Sequence, residues 1–327
     1  MARVLSGIQP SGTIHIGNYF GAVRPWVAAQ TGHDAFYFIA DLHALTLDID
    51  PDELRAKTLE TAIVLLAAGL DPALCTLFLQ SHVHEHNELA WLLECVASYG
   101  ELRRMTQFKD KGAGQESVRV GLLTYPVLVA ADILLYKADQ VPVGDDQRQH
   151  LELARDLAIR FNSRYRAVFQ IPEAVIPIIS ARVMDLQNPE RKMSKSVSSP
   201  QGTINISDGP DEIARKIRRA VTDTETTVVY DPKTRPGVSN LLELLSGSTG
   251  KSPKELAGEY SSYGKLKDAV AESLVETLSP LQRRMDELRD DPGFVLRSLH
   301  EGAEKARTIA AETLVSAKDA VGLLAPG

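Results

Sequence analysis

A chain of 327 residues exceeds what one small core organises, so its length predicts one large unit with a smaller one attached. With 44% hydrophobic and 24% charged residues it is too aliphatic for a disordered chain, and no apolar run approaches the ~20 residues that span a bilayer. The net charge of −7 excludes a generally basic nucleic-acid-coating protein and leaves room for a local basic face.

Residues 1–10 carry no apolar leader behind a basic start, which points to the cytoplasm and away from secretion or a membrane. Residues 3–8 read as a buried strand, 17–30 as a helix and 34–40 as the next strand. Asp50 reads as an N-cap, with Pro51 at the first helical position, Asp52 and Glu53 in the first turn, and Gly69 past the helix end. Residues 74–80 supply a third strand, and 87–99 a helix closed by Gly100. Right-handed crossovers assemble this β-α-β-α-β-α run into a Rossmann-like, doubly wound parallel α/β sheet.

Cys75 and Cys95 sit in apolar stretches and read as buried thiols in a reducing compartment. The run His82-Val-His-Glu-His86 places histidines on one face if extended. Neither cysteine nor carboxylate is arranged to complete a metal shell, so the run reads as a polar strand-to-helix loop and no protein-held metal is expected.

Residues 140–143, then Gly144-Asp145-Asp146 and a helical pattern to Phe161, give another strand, turn and helix. Residues 175–180 read as a last buried strand, with Pro172 and Pro177 restricting its pairing. From 200 to 210 the chain is polar and rich in Gly, Ser and Asp; beyond, it is helical with basic clusters at Arg215, Lys216, Arg218, Arg219 and at Arg283, Arg284. The expected organisation is a catalytic unit over 1–200, a helical unit over 201–300, and a C-terminal helix within 301–327, over 301–324, packing back on the first unit.

Two segments carry chemistry. Pro10-Ser-Gly-Thr-Ile-His-Ile-Gly-Asn18 lies between the first strand and its helix, where a doubly wound sheet binds nucleotides. A helix start offers free N–H groups to phosphate, Gly17 can admit an adenine against the backbone, and His15 and Asn18 can donate to phosphoryl oxygens. Lys192-Met-Ser-Lys-Ser196 follows the last strand in a stretch with only Met193 as a bulky anchor. Its lysines, Lys192 and Lys195, can close on a triphosphate and neutralise charge on the departing pyrophosphate. Either segment alone is a turn or a solvated loop; together, in this order, they are far more specific.

This pair resembles the two signatures of the class I aminoacyl-tRNA synthetases, and Ser6-Gly-Ile-Gln-Pro-Ser-Gly12 with His15-Ile-Gly-Asn-Tyr19 is similar to the tryptophanyl branch of bacterial type. Asn18 stands where the class pattern has histidine. Further similar runs are Glu101-Leu-Arg-Arg-Met-Thr-Gln-Phe-Lys109, Gly121-Leu-Leu-Thr-Tyr-Pro126, Ala131-Asp-Ile-Leu-Leu-Tyr136, Val141-Pro-Val-Gly-Asp-Asp-Gln147, Pro236-Gly-Val-Ser-Asn-Leu-Leu242 and Glu301-Gly-Ala-Glu-Lys-Ala306. The likeness covers essentially the whole chain.

The resemblance implies a ligase of protein biosynthesis that joins L-tryptophan to tRNA(Trp) through a tryptophanyl adenylate, using ATP with substrate-bound Mg²⁺ and working as a homodimer. It implies an ATP-binding set of Gln9, Pro10, Ser11, Gly17, Asn18, Lys111, Gly144, Asp145, Asp146, Val183, Lys192, Met193, Ser194, Lys195 and Ser196. For tryptophan it implies Asp132 as acceptor of the indole N–H, Tyr125, Gln147 and Gln107 around the ammonium and carboxylate, and His43 and Gly7 bordering the pocket. From residues alone, Asp132 also reads as a helix N-cap before Ile133. An α-carboxyl titrates near ~3.5, so the attacking carboxylate needs no general base. A tyrosyl enzyme, a non-catalytic RNA-binding relative and a small-molecule nucleotidylyltransferase are the competing readings, and no inserted editing domain is visible.

Overall fold

The computed structural model describes residues 1–112, 117–142, 144, 147–175, 183–194 and 199–324. Strand β1 (Arg3–Ile8) pairs in parallel with β2 (Asp34–Ile39), and β2 with β3 (Thr76–Leu79). On the other side β1 pairs with β4 (Gln140–Pro142) and β4 with β5 (Glu173–Val175), giving a parallel sheet ordered β3-β2-β1-β4-β5 among the described residues. The order reverses direction at β1, so the crevice at its carboxyl end is the switch point where such sheets bind ligands. The Rossmann-like expectation holds.

Helix α1 (Ile16–Asn18), a π-turn (Tyr19–Val23) and α2 (Arg24–Ala29) replace the single expected helix; the backbone stays helical through the junctions. After α3 (Asp41–Ala44), α4 (Pro51–Ala67) starts as its sequence dictates: Asp50 Oδ1 accepts from the N–H groups of Asp52 and Glu53 at 2.9 and 3.2 Å. The helix expected over 87–99 is corrected. It starts earlier, as α5 (Glu85–Glu94), and Tyr99 opens a separate turn, α6 (Tyr99–Leu102), whose Ser98–Glu101 capping box nucleates it. Gly100 lies inside α6 and closes nothing.

Then follow α7 (Thr106–Gly112), α8 (Val120–Leu135) and α9 (Arg148–Arg164). Val143 and residues 176–180 of the two expected strands lie outside the described residues. The helical region holds α10 (Pro210–Arg218), α11 (Pro236–Thr249), α12 (Pro253–Ala257) and α13 (Tyr263–Asp290). The last helix, α14 (Pro292–Ala320), begins ahead of the expected 301, because Asp291 caps it onto Phe294 N–H and Pro292 starts it.

The alternation along β2 explains the two cores. Ala35, Tyr37 and Ile39 face one cluster with α4, α11 and α13; Phe36, Phe38 and Ala40 face the other with α5, α8, α9 and the later half of α14. Helix α14 crosses β3 so closely that a Cβ on Gly302 would lie 1.9 Å from the Leu77 carbonyl oxygen, so only glycine fits. Cys75 is buried, and its thiol is pushed up to about 12 by that burial and by Asp71 nearby. Cys95 corrects the other expectation: it is exposed, at the C-terminal cap of α5. Among the described residues, no helix is long and apolar enough to cross a membrane.

Candidate active site

The first signature follows β1 and is locked by its own side chains. His15 Nδ1 accepts from the N–H groups of Gly17 and Asn18 at 3.1 and 3.3 Å, while Asn18 Oδ1 accepts from His15 N–H at 3.3 Å. This capping box requires Nδ1 unprotonated, so the neutral imidazole carries its proton on Nε2 and presents a donor. Antiparallel pairing with residues 204–206 fixes the segment from the other side: Ile16 N–H donates to Ile204 C=O at 2.8 Å, and Ile206 N–H to Ile14 C=O at 3.0 Å.

Val183 brings the second signature to the first. A Cβ on Gly17 would lie 3.4 Å from the Val183 Cβ, and the Val183 carbonyl accepts from Met193 N–H at 3.1 Å. Met193 is buried in the core while Lys192, beside it, is exposed. The anchoring is therefore firmer than a freely moving loop predicts, at least over Arg191 to Ser194. Lys195 and Ser196 lie outside the described residues, as do Asp145 and Asp146 and the side chain of Lys111, whose backbone belongs to α7. Gly144 is exposed, and its carbonyl accepts from Gln147 N–H at 2.9 Å. Gln9, Pro10 and Ser11 sit between β1 and α1, and the Gln9 side chain donates to His43 C=O at 3.0 Å.

Asp132 is buried in the interior of α8, more than three turns from its start, so the N-cap reading is excluded. Gln80 Nε2 donates to its Oδ1 at 2.7 Å, His86 Nδ1 lies 2.6 Å from Oδ1, and His43 Nε2 lies 2.7 Å from Oδ2. Burial raises the carboxyl pKa, but the charge of His43 and the hydrogen bonds from His43 and His86 outweigh it and hold the group at about 2. The carboxylate accepts only, so both imidazoles donate to it. Burial keeps the Tyr136 phenol protonated, and its O–H, 2.8 Å from His86 Nε2, donates to that nitrogen and fixes the His86 tautomer. Of about four acceptor positions on the carboxylate, three are taken, and the remaining one is on Oδ2 beside His43.

His43 leads on to the other expected tryptophan ligands. Its ring meets that of Tyr125 edge-on at 6.2 Å. The Tyr125 hydroxyl lies 2.8 Å from Gln107 Oε1 and 3.0 Å from His150 Nε2, and His150 Nδ1 lies 2.8 Å from Gln147 Oε1. Burial keeps Tyr125 a phenol. Gly7 lies in β1 under Phe38, whose ring a Cβ would strike at 2.6 Å. All six expected residues thus lie on β1, α3, α7, α8 and the start of α9, five of them joined in one contact network.

Sequence reading missed Gln80, His86 and His150. His86 corrects the polar-loop reading: it lies in α5 with no exposure, while His82 and His84 face out. Among the described residues, no three His, Cys, Asp or Glu side chains are placed to hold a metal ion. Only His150 carried a signal, three residues after Gln147 on a helix start; Gln80 and His86 reach Asp132 across the sequence.

The sequence model of the tRNA synthetases class I (W and Y) matches residues 1–279. Tryptophan–tRNA ligase 2 of Streptomyces avermitilis is 54% identical over 327 residues, covering 98% of this chain and 97% of its own. Tryptophan–tRNA ligase of Caldanaerobacter subterraneus subsp. tengcongensis is 52% identical over 326 residues, with 99% of each chain covered. The crystal structure of tryptophanyl-tRNA synthetase from Mycoplasma pneumoniae superposes with a TM-score of 0.93 at 38% identity, over 99% of this chain and 98% of that one. That of the Campylobacter jejuni tryptophanyl-tRNA synthetase, complexed with ADP and tryptophan, gives a TM-score of 0.84 at 37% identity, over 98% and 100%. The chain therefore belongs to the class I tRNA synthetases (W and Y).

Proposed function

We propose that this chain ligates L-tryptophan to tRNA(Trp) in two steps. The tryptophan carboxylate attacks the α-phosphorus of ATP, releasing pyrophosphate; a terminal ribose hydroxyl of tRNA then attacks the adenylate carbonyl, releasing AMP. The observation that carries this reading is the meeting of the two signatures at Val183, beside a sheet switch point, with a separate buried acceptor network around Asp132. Relatives above 50% identity bearing the tryptophan name favour that amino acid over tyrosine.

In this reading His15 Nε2 and Asn18 donate to phosphoryl oxygens, and Lys192 with Lys195 neutralises the leaving pyrophosphate. Mg²⁺ enters with ATP as part of that substrate, held by phosphate oxygens and water. The indole N–H takes the open position on Asp132 Oδ2, and Tyr125, Gln107 and Gln147 bind the amino-acid head group. Residues 1–200 form the catalytic unit, and 201–300 the helical unit that takes the anticodon region of tRNA. The C-terminal helix adds Ala303, Ala306, Ala310, Leu314 and Ala317 to the sheet core. The setting is cytoplasmic.

A second copy of the chain covers the outer face of α3, α5 and α8 as a homodimer. Supporting this, Trp91 and Leu45 are 65% and 57% exposed there. They line an open groove of about 320 Å³ that also reaches His43 and Tyr125. Amino-acid-dependent ATP–pyrophosphate exchange tests the function: tryptophan should support it and tyrosine should not. Equal exchange with tyrosine would reassign the substrate.

A further inference from the structure

The segment carrying Lys192 is fastened to the helical region at several points: Val221 N–H donates to Leu186 C=O at 2.8 Å, the Gln187 side-chain amide donates to Arg219 C=O at 3.1 Å, and the Asn240 side chain holds Met184 directly opposite Lys192. Residues 183–185 and 191–193 form a short antiparallel pair, with Met193 N–H donating to Val183 C=O at 3.1 Å and Asp185 N–H to Arg191 C=O at 2.8 Å. Met184 sits opposite Lys192 in the pair's non-hydrogen-bonded position. Its own N–H and C=O therefore point to the far edge, as alternation along a strand requires. That edge has no neighbouring strand among the described residues. Instead Asn240, buried on α11, accepts from Met184 N–H through Oδ1 and donates to Met184 C=O through Nδ2, both at 2.8 Å. Only a carboxamide supplies one donor and one acceptor in that spacing; aspartate offers two acceptors and leucine neither.

We propose that Asn240 is a positioning residue for the lysine segment: its carboxamide takes the place of a strand and couples the placement of Lys192 to α11. The proposal rests on the reading of Lys192 as a triphosphate ligand. Where α11 goes, Met184 and the paired Lys192 follow, so the helical region sets how the lysine meets the phosphates. A misplacement of about 1 Å costs as much as 10²-fold in rate for a positioned group. A purely structural asparagine would instead lower stability while leaving the balance between the two substrates unchanged.

The test is pyrophosphate exchange by the full-length protein carrying Asn240→Asp, Asn240→Leu, Lys192→Ala or Ser239→Ala, with tryptophan binding measured separately by calorimetry without ATP. Ser239 is the control, because it is buried in the same helix and its hydroxyl accepts from Asp231 N–H at 2.9 Å. Both Asn240 variants should lose roughly ten-fold or more in kcat/KM for ATP, with tryptophan Kd unchanged and Ser239→Ala near wild type. Wild-type ATP kinetics in both Asn240 variants, an equal defect in Ser239→Ala, or an equal loss of tryptophan affinity would each overturn the proposal. Should Lys192→Ala leave ATP kinetics intact, the reading of the lysine fails and the proposal with it; a defect in Lys192→Ala but not in the Asn240 variants sinks the clamp alone. If neither Asn240 variant folds, hydrogen exchange on the wild type decides: the Met184 amide should exchange as slowly as the core of α11, and fast exchange would overturn the clamp.

Discussion

A carboxylate buried among three donors keeps its charge against the penalty of burial, and Asp132 does so through His43, His86 and Gln80. Its pKa falls from the ordinary 3.8 to about 2, so this group adds stability above pH ~4 and loses it as pH falls through about 2. The size is about 2 kcal/mol, from the pKa difference alone. Denaturant unfolding of wild type and Asp132→Asn between pH 6 and pH 2 should show the wild-type advantage shrinking by that order. A constant difference across the range would mean that the carboxylate is not held ionised. Asp132 itself was legible as an acceptor only through the family resemblance; from residues alone it also read as a helix cap. Its partners were not, because Gln80 and His86 are 52 and 46 residues away and nothing local in their runs marks them as buried.

Among the elements, those with local chemistry at their ends were readable. Strands β1 and β2 and the Asp50 cap of α4 appear where alternation and capping put them. The breaks between elements were hidden. Residues 87–99 keep an apolar periodicity across a break between two helices, and only the capping box of Ser98 and Glu101 shows why a new turn starts. The start of α14 was hidden because residues 292–300 are helical in pattern on both sides of the expected boundary. Glycine at 302 was visible in the sequence, but its reason, the carbonyl of Leu77, belongs to another element. The signatures were legible as segments, whereas their meeting through Val183 and the Asn240 clamp depend on packing between distant elements.

For the whole molecule, the acidic balance of the chain coexists with exposed arginines on α13. If the helical unit takes tRNA there, replacing Arg283 and Arg284 together should impair tRNA charging and make tRNA binding less salt-dependent, with pyrophosphate exchange intact. Equal damage to both reactions would instead indicate a folding defect or a misassigned unit. The central claim is that one buried carboxylate reads the indole nitrogen of tryptophan. It is tested most directly by pyrophosphate exchange with tryptophan and with an analogue whose indole nitrogen is replaced by sulfur, in wild type and in Asp132→Asn. Wild type should lose roughly 1.5–3 kcal/mol, about ten- to a hundred-fold in kcat/KM, with the analogue, and Asp132→Asn should discriminate less. Equal discrimination by the two enzymes would contradict the assignment of Asp132.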